Sequence, residues 1–295
     1  MRVDLHNHTT LCNHATGTME EYIQRAIELK IDVFGFSEHA PMDFDKKYRL
    51  DIKDKEFYEN EVKFLKQKYK QEIEILLGYE VDFMQNIKML DEILDAKVDY
   101  LIGSVHFLDS WGFDNPEFIG VYENKDIDKI WQDYFDTVKE LAKSAKFDIV
   151  GHIDLIKIFK FMPKKDIRII CLDALKEIKK SNMCIEINAA GFRKPINEPY
   201  PSKSILELIY DLDIPITFSS DAHSVEQVGY MYDDVLSIAK EIGFSKVATF
   251  KITPREVIQL KNSLLIPYQK KLNPPFLNHL LIRIMLFILS WKMMC

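Results

Sequence analysis

Seven of the chain's eight histidines, His6, His8, His14, His39, His106, His152 and His223, fall just after short apolar runs of β type. Two carboxylates take equivalent places, Glu80 in Gly78-Tyr79-Glu80 and Asp221 in Ser220-Asp221-Ala222-His223. Side chains alternate faces along a strand, so His6 and His8 project to one side while Leu5 and Asn7 face the other. A lone His-x-His pair is a weak signal and usually a satisfied core position. Its weight here comes from the other strand ends, Ser37-Glu38-His39, Gly103-Ser104-Val105-His106 and Gly151-His152-Ile153-Asp154, each of which presents a further ligand.

Imidazole combined with carboxylate, and without paired cysteines, suits Zn, Mn or Fe, whereas Ca prefers all-oxygen cages. Nine such donors exceed what one ion needs, so a cluster of two or three metals is expected. A cluster of that kind generates hydroxide from a bridging water near neutral pH and neutralises charge during an in-line displacement, which is the equipment for phosphate-ester hydrolysis.

Downstream, Glu186-Ile187-Asn188 leads into Ala189-Ala190-Gly191-Phe192-Arg193-Lys194-Pro195, which puts a guanidinium at the same mouth. Arg193 is expected to clamp phosphate oxygens through its planar fork, against the plainer reading of an exposed basic pair in a loop. Cys12 reads as an ordinary loop thiol. Asp82, Asp99, Asp114 and Asp154 are either solvated charges or partners that orient the imidazoles, and the sequence does not sort them.

Positioning these groups requires a parallel sheet. Runs rich in β-formers, Val3–His6, Val33–Phe36, Ile73–Leu77, Tyr100–Gly103, Ile149–Gly151, Ile185–Ile187 and Ile216–Phe218, alternate with helical stretches. Thr18-Met19-Glu20-Glu21 has the form of a capping box and opens a helix over about residues 19–30. Later helices are expected at Glu56–Tyr69, Lys129–Ala145, Asp166–Lys180, Ser204–Leu212 and Val225–Ile242, with a last short one from Thr253-Pro254 to about Leu264. In a (β/α) barrel the C-terminal strand ends gather at one mouth, so residues spread over the whole chain meet there.

The chain has 295 residues, 47% apolar and 29% charged, with no repeat, low-complexity tract or linker before residue 265. One domain over 1–265 is expected, followed by an apolar tail, 266–295. Within that tail Phe276–Trp291 is interrupted by Asn278, His279 and Arg283. It is short for a membrane span and reads as a packing or interfacial helix. The net charge of -7 disfavours a nucleic-acid surface, because phosphate-backbone binding depends on clustered Lys and Arg. Four scattered cysteines and an N-terminus without a signal-peptide layout point to the cytoplasm.

Taken together, HNHTTLCNHATGTMEEYIQRAIELKI, FGFSEHAP, LLGYEVDF, YLIGSVHFLDSWGFD, FDIVGHIDLIKIF, IEINAAGFRKPINEPYPS and ITFSSDAH resemble the polymerase and histidinol phosphatase (PHP) superfamily, in its stand-alone histidinol-phosphatase branch, over about residues 1–250. The resemblance implies a distorted (β/α)7 TIM-like barrel with a trinuclear metal site that hydrolyses L-histidinol phosphate to L-histidinol and phosphate in histidine biosynthesis. It implies that His6, His8, Glu80 and Asp221 hold one metal, with Glu80 bridging to a second held by His106 and His152, and that His14, His39 and His223 hold the third. A metal-bridging hydroxide would attack phosphorus while Arg193 stabilises the phosphoryl oxygens. The alternatives are another phosphomonoester or a phosphotyrosine protein as substrate, or a metal-dependent binding or regulatory module without turnover.

Overall fold

The computed structural model describes residues 1–250 and 256–260. Seven parallel strands form one sheet in chain order: β1 (Val3–Asp4), β2 (Val33–His39), β3 (Glu74–Asp82), β4 (Tyr100–Ser104), β5 (Ile149–Val150), β6 (Cys184–Asn188) and β7 (Ile216–Ser219). Every expected run is in this sheet, and β5 is the most reduced of those in the middle. Because helices cover the outside and side chains fill the inside, the strands read as continuous apolar runs such as Ile75-Leu76-Leu77, all buried.

The first and last strands meet. Leu5 N–H donates to the Phe218 carbonyl at 3.1 Å and His8 N–H to the Ala222 carbonyl at 2.9 Å, and Asn7 pairs with Ala222 in parallel. The buried Asp4 carboxylate receives the Ser220 N–H at 2.9 Å, the Ser220 hydroxyl at 2.6 Å and the Gly229 N–H at 3.0 Å. The sheet is thereby a nearly closed, distorted (β/α)7 barrel of TIM-like type.

Helix α1 (Met19–Glu28) starts where its capping box places it: the Thr18 hydroxyl accepts from Glu21 N–H, and the Glu21 carboxylate accepts from Thr18 N–H at 2.7 Å. The helices α2 (Lys55–Lys68), α3 (Asp91–Leu94), α4 (Ile127–Lys143), α5 (Ile167–Lys180), α6 (Lys203–Asp211) and α7 (Tyr232–Ile242) follow. Helix α4 packs Trp131, Tyr134, Phe135 and Val138 inward, one turn apart along one face. Helix α7 begins seven residues later than expected. Gly229 and Met231 take positive φ (64° and 49°), and the Gly229 N–H is committed to Asp4, so only a 3-10 turn, Val225–Gln227, precedes the break.

Inside the barrel, Tyr100 lies across two neighbouring strands. Its hydroxyl donates to the Leu5 carbonyl at 2.6 Å, and a Cβ at Gly35 would sit 2.1 Å from that oxygen. Gly35 is therefore the only residue type that leaves room for the phenol.

The helix expected from Thr253 onward is not formed at Glu256–Gln259. This segment is a strand, antiparallel to Lys246–Thr249. Adjacent Val257 and Ile258 favour a pleated backbone, and the pairing supplies ladder partners that an isolated helical turn would lack. Thr253-Pro254 and the apolar run Phe276–Trp291 lie outside the described residues. No helix among the described residues is long and apolar enough to cross a membrane.

Candidate metal centre

All nine expected ligands lie at the C-terminal ends of the strands or in the loops that follow them. Glu80, buried on β3, is the hub. Its Oε1 lies 2.9 Å from His152 Nε2 and 3.7 Å from His106 Nε2, and its Oε2 lies 2.8 Å from His39 Nδ1, 3.3 Å from His6 Nε2 and 3.7 Å from His8 Nε2. Asp221 joins on the other side, with Oδ1 3.3 Å from His8 Nε2 and 3.6 Å from His223 Nδ1. Its φ of 52° turns the chain so that Asp221 and His223 both reach the cluster. His14, from the loop after β1, packs its ring 4.7 Å from that of His223 and 5.2 Å from that of His39.

Donor atoms within 4.8 Å of one another form four groups: His6, His8 and Glu80; Glu80, His106 and His152; His8, His39 and His223; and Cys12, His14 and His223. The third group contains His8 where the resemblance implies His14. Cys12 comes near without the character of a ligand, since its thiol donates to the Thr9 carbonyl at 3.1 Å and burial pushes its pKa far up.

Six of the seven imidazoles divide into two kinds. His6, His8 and His106 each turn Nδ1 to a buried carboxylate: Glu186 at 3.0 Å, Glu38 at 3.4 Å and Asp82 at 2.7 Å. Burial alone would disfavour a proton on these rings, but the facing carboxylates prevail and hold all three above the usual imidazole value, His8 at about 9 and His106 at about 10. His14, His39 and His223 are held below it, chiefly by burial, His39 at about 4. They are neutral near pH 7 and offer lone pairs. Burial likewise opposes charge on Glu80, yet the fields of His6 and His106 and the hydrogen bond from His152 keep it ionised.

The residues fit metal ions on their own geometry. His6 Nε2, His8 Nε2 and Glu80 Oε2 are buried and have no hydrogen-bond partner of acceptable geometry, although they converge on a common point. Buried polar atoms in such a state imply a partner. Imidazole nitrogens with carboxylate oxygens form the donor set of Zn, Mn and Fe.

Glu38 and Glu186 were not singled out by sequence reasoning. Glu186 accepts from the His152 N–H at 2.6 Å and from Asn188 Nδ2 at 2.9 Å besides meeting His6, so it links three strand ends. Glu38 accepts from the N–H groups of Thr9 and His39, both at 2.9 Å, and from the Thr9 hydroxyl. The available signal was their position within the strand-end segments: a carboxylate there, among imidazoles, is rarely idle.

Arg193 is half-buried. Its Nη2 donates to the carbonyls of Ser220 and Asp221, both at 2.9 Å, its guanidinium lies 5.0 Å over the Tyr230 ring, and Nη1 is buried with no partner. A cavity of about 580 Å³ joins it to the cluster, with His106, Asp114, His152, Tyr200 and Asp221 also in its wall. Among the other carboxylates left open above, Asp99 accepts from Lys66 at 2.9 Å, away from the site, and Asp154 pairs with buried Lys157 at 3.0 Å.

A seven-stranded α/β barrel with an imidazole–carboxylate cluster at the C-terminal mouth is thus in place. The PHP domain family model matches residues 4–190, and the chain belongs to that family. It is 34% identical over 252 residues to a probable histidinol-phosphatase of Deinococcus radiodurans, covering 84% of this chain and 96% of that protein. It is 30% identical to the histidinol-phosphatase of Bacillus subtilis, covering 79% and 97%. The crystal structure of a putative histidinol phosphatase from Listeria monocytogenes superposes with a TM-score of 0.67 at 27% identity, covering 79% of this chain and 99% of the other. The histidinol phosphate phosphatase of Lactococcus lactis, crystallised with Zn, L-histidinol and phosphate, shares the fold with a TM-score of 0.72 at 21% identity, covering 86% and 98%.

Proposed function

We propose that this chain is a metal-dependent phosphomonoester hydrolase that converts L-histidinol phosphate to L-histidinol and phosphate, using a trinuclear centre. The observation that carries the reading is the gathering of seven imidazoles around Glu80 and Asp221, with buried ligand atoms left without partners. The substrate is supported by the similarity to the histidinol-phosphatases of Deinococcus radiodurans and Bacillus subtilis over nearly their full lengths.

His6, His8, Glu80 and Asp221 would hold one ion, Glu80, His106 and His152 a second, and His14, His39 and His223 a third, drawn from Zn, Mn or Fe. Such ions supply Lewis acidity toward phosphoryl oxygens and acidify water. The chain's own residues do the rest. Glu186, Glu38 and Asp82 hold the Nδ1 protons of His6, His8 and His106, which fixes the tautomer and aims each Nε2 inward. Two backbone carbonyls fix the Arg193 fork, which leaves Nη1 to meet a phosphoryl oxygen as a charge-assisted hydrogen bond. Asp114 in the cavity wall offers a carboxylate to a cationic alcohol portion such as the histidinol ammonium.

The test is phosphate release from L-histidinol phosphate, glycerol phosphate, p-nitrophenyl phosphate and a phosphotyrosine peptide, with metal content measured on the same sample. Preference for histidinol phosphate together with bound transition metal is expected. Preference for a different ester, or turnover that survives complete chelation, would overturn the reading.

A further inference from the structure

Besides the ring nitrogen His152 Nδ1, two hydrogen-bond donors in the cavity wall lack acceptors. One is Arg193 Nη1; the other is the hydroxyl of Tyr200, a residue only 1% exposed. Tyr200 is held on every side. Its N–H donates to the Asn188 carbonyl at 3.0 Å and its carbonyl accepts from the Asn188 N–H at 2.7 Å, which ties it to the end of β6. Its ring stands edge-on to His152, 6.5 Å between centroids at 74°, and the Lys157 ammonium lies 5.2 Å from the ring centre on another side. Gly191 completes the seat, since a Cβ there would come 3.1 Å from the ring.

A phenol fixed this firmly cannot rotate away to find a partner. A phenol carries its proton near neutral pH, so toward an anion it donates. A phosphate dianion carries acceptors and no donors, and is the complement of two unsatisfied donors beside a cationic centre.

Resting on the phosphomonoesterase reading above, we propose that the Tyr200 hydroxyl donates a hydrogen bond to an oxygen of the bound phosphoryl group, sharing that group with Arg193. Tyr200 belongs to the segment Asn197-Glu198-Pro199-Tyr200, which the metal assignment leaves without a role. Lys157 is the positioning residue beneath it: fully buried, it donates to the Pro199 carbonyl at 2.8 Å and pairs with Glu198 at 2.9 Å and Asp154 at 3.0 Å.

The experiment compares wild type and Tyr200→Phe as metal-loaded proteins, measuring kcat and KM on the best ester of the panel, the inhibition constant of inorganic phosphate, metal stoichiometry and thermal midpoint. Loss of one hydrogen bond to a charged group predicts that kcat/KM and phosphate affinity each fall roughly tenfold to a hundredfold. Metal content and midpoint should hold. If kcat/KM and phosphate affinity both stay within about twofold of wild type, or kcat/KM falls while phosphate affinity holds, the contact is refuted. A fall that tracks metal loss refutes it too, because that is a structural effect. A wrong substrate assignment shows in the wild-type panel alone, whereas inorganic phosphate reads the Tyr200 contact whichever ester is preferred.

Discussion

Asp82 Oδ1 lies 2.7 Å from Nδ1 of His106, and the other oxygen of the same carboxylate accepts from Arg49 Nη2 at 3.0 Å. All but the His106 ring, which is 14% exposed, is fully buried. The carboxylate therefore fixes the tautomer of His106 and aims its Nε2 at Glu80. Asp82→Asn keeps the shape but weakens this hold, and metal affinity at the His106 position is expected to fall roughly tenfold to a hundredfold. Chelator competition followed by metal analysis measures it, and an unchanged affinity would show that Asp82 serves only Arg49.

Arg193 is anchored through one nitrogen, Nη2, to two carbonyls, which leaves Nη1 of the planar guanidinium free to reach inward. Arg193→Lys retains charge but cannot donate to Ser220 and Asp221 while also reaching into the cavity. We expect kcat/KM to fall on the order of tenfold to a hundredfold in the lysine variant with metal content unchanged. Lysine rescue to wild-type rates would mean that charge alone is needed.

Asp114 predicts selectivity. Its carboxyl pKa is raised by burial, so it gains from a cation brought beside it. In Asp114→Asn the KM for histidinol phosphate should rise while that for glycerol phosphate, whose alcohol portion is uncharged, stays put. Equal changes for both esters would remove Asp114 from recognition of the alcohol portion.

Lys157 and Asp154 form an ion pair with both side chains wholly buried. Burial holds the Asp154 carboxyl up, at about 6, with Lys157 opposing it. Lys157→Met leaves that carboxylate without its cation and should destabilise the protein by about 3–5 kcal/mol. Lys157→Met with Asp154→Asn should recover part of this. Denaturant midpoints for the two variants decide, and equal losses would place the energy in the Pro199 and Glu198 contacts instead.

The barrel was legible because its strands announce themselves twice, as apolar runs and as the polar residues that end them. Val33–Phe36 followed by Ser37-Glu38-His39 is such a pair, and β2 runs through both parts. The clustering of the imidazoles was legible for the same reason, since side chains at strand ends meet at one mouth. The second rank of carboxylates was harder. Glu38 sits beside a ligand in sequence yet serves His8 from a different strand, a relation that exists only once β1 and β2 pair. Tyr200 and Lys157 carried no spacing signal, because their roles come from a loop folding back on β6. The late start of α7 was hidden as well: Gly229 breaks the helix to serve Asp4, 225 residues earlier in the chain.

The ring of strands is shut by Asp4 and Ser220, which are 216 residues apart in sequence. His6 and His8 lie on one side of that seam and Asp221 and His223 on the other, so no segment of the chain holds a finished ligand set by itself. During synthesis the early histidines leave the ribosome with Glu80, Glu186 and Asp221 still untranslated, and closure over so long a span comes late. Completion of the barrel is thereby what brings the proposed ligand set together, and a chain truncated before Asp221 would lack it.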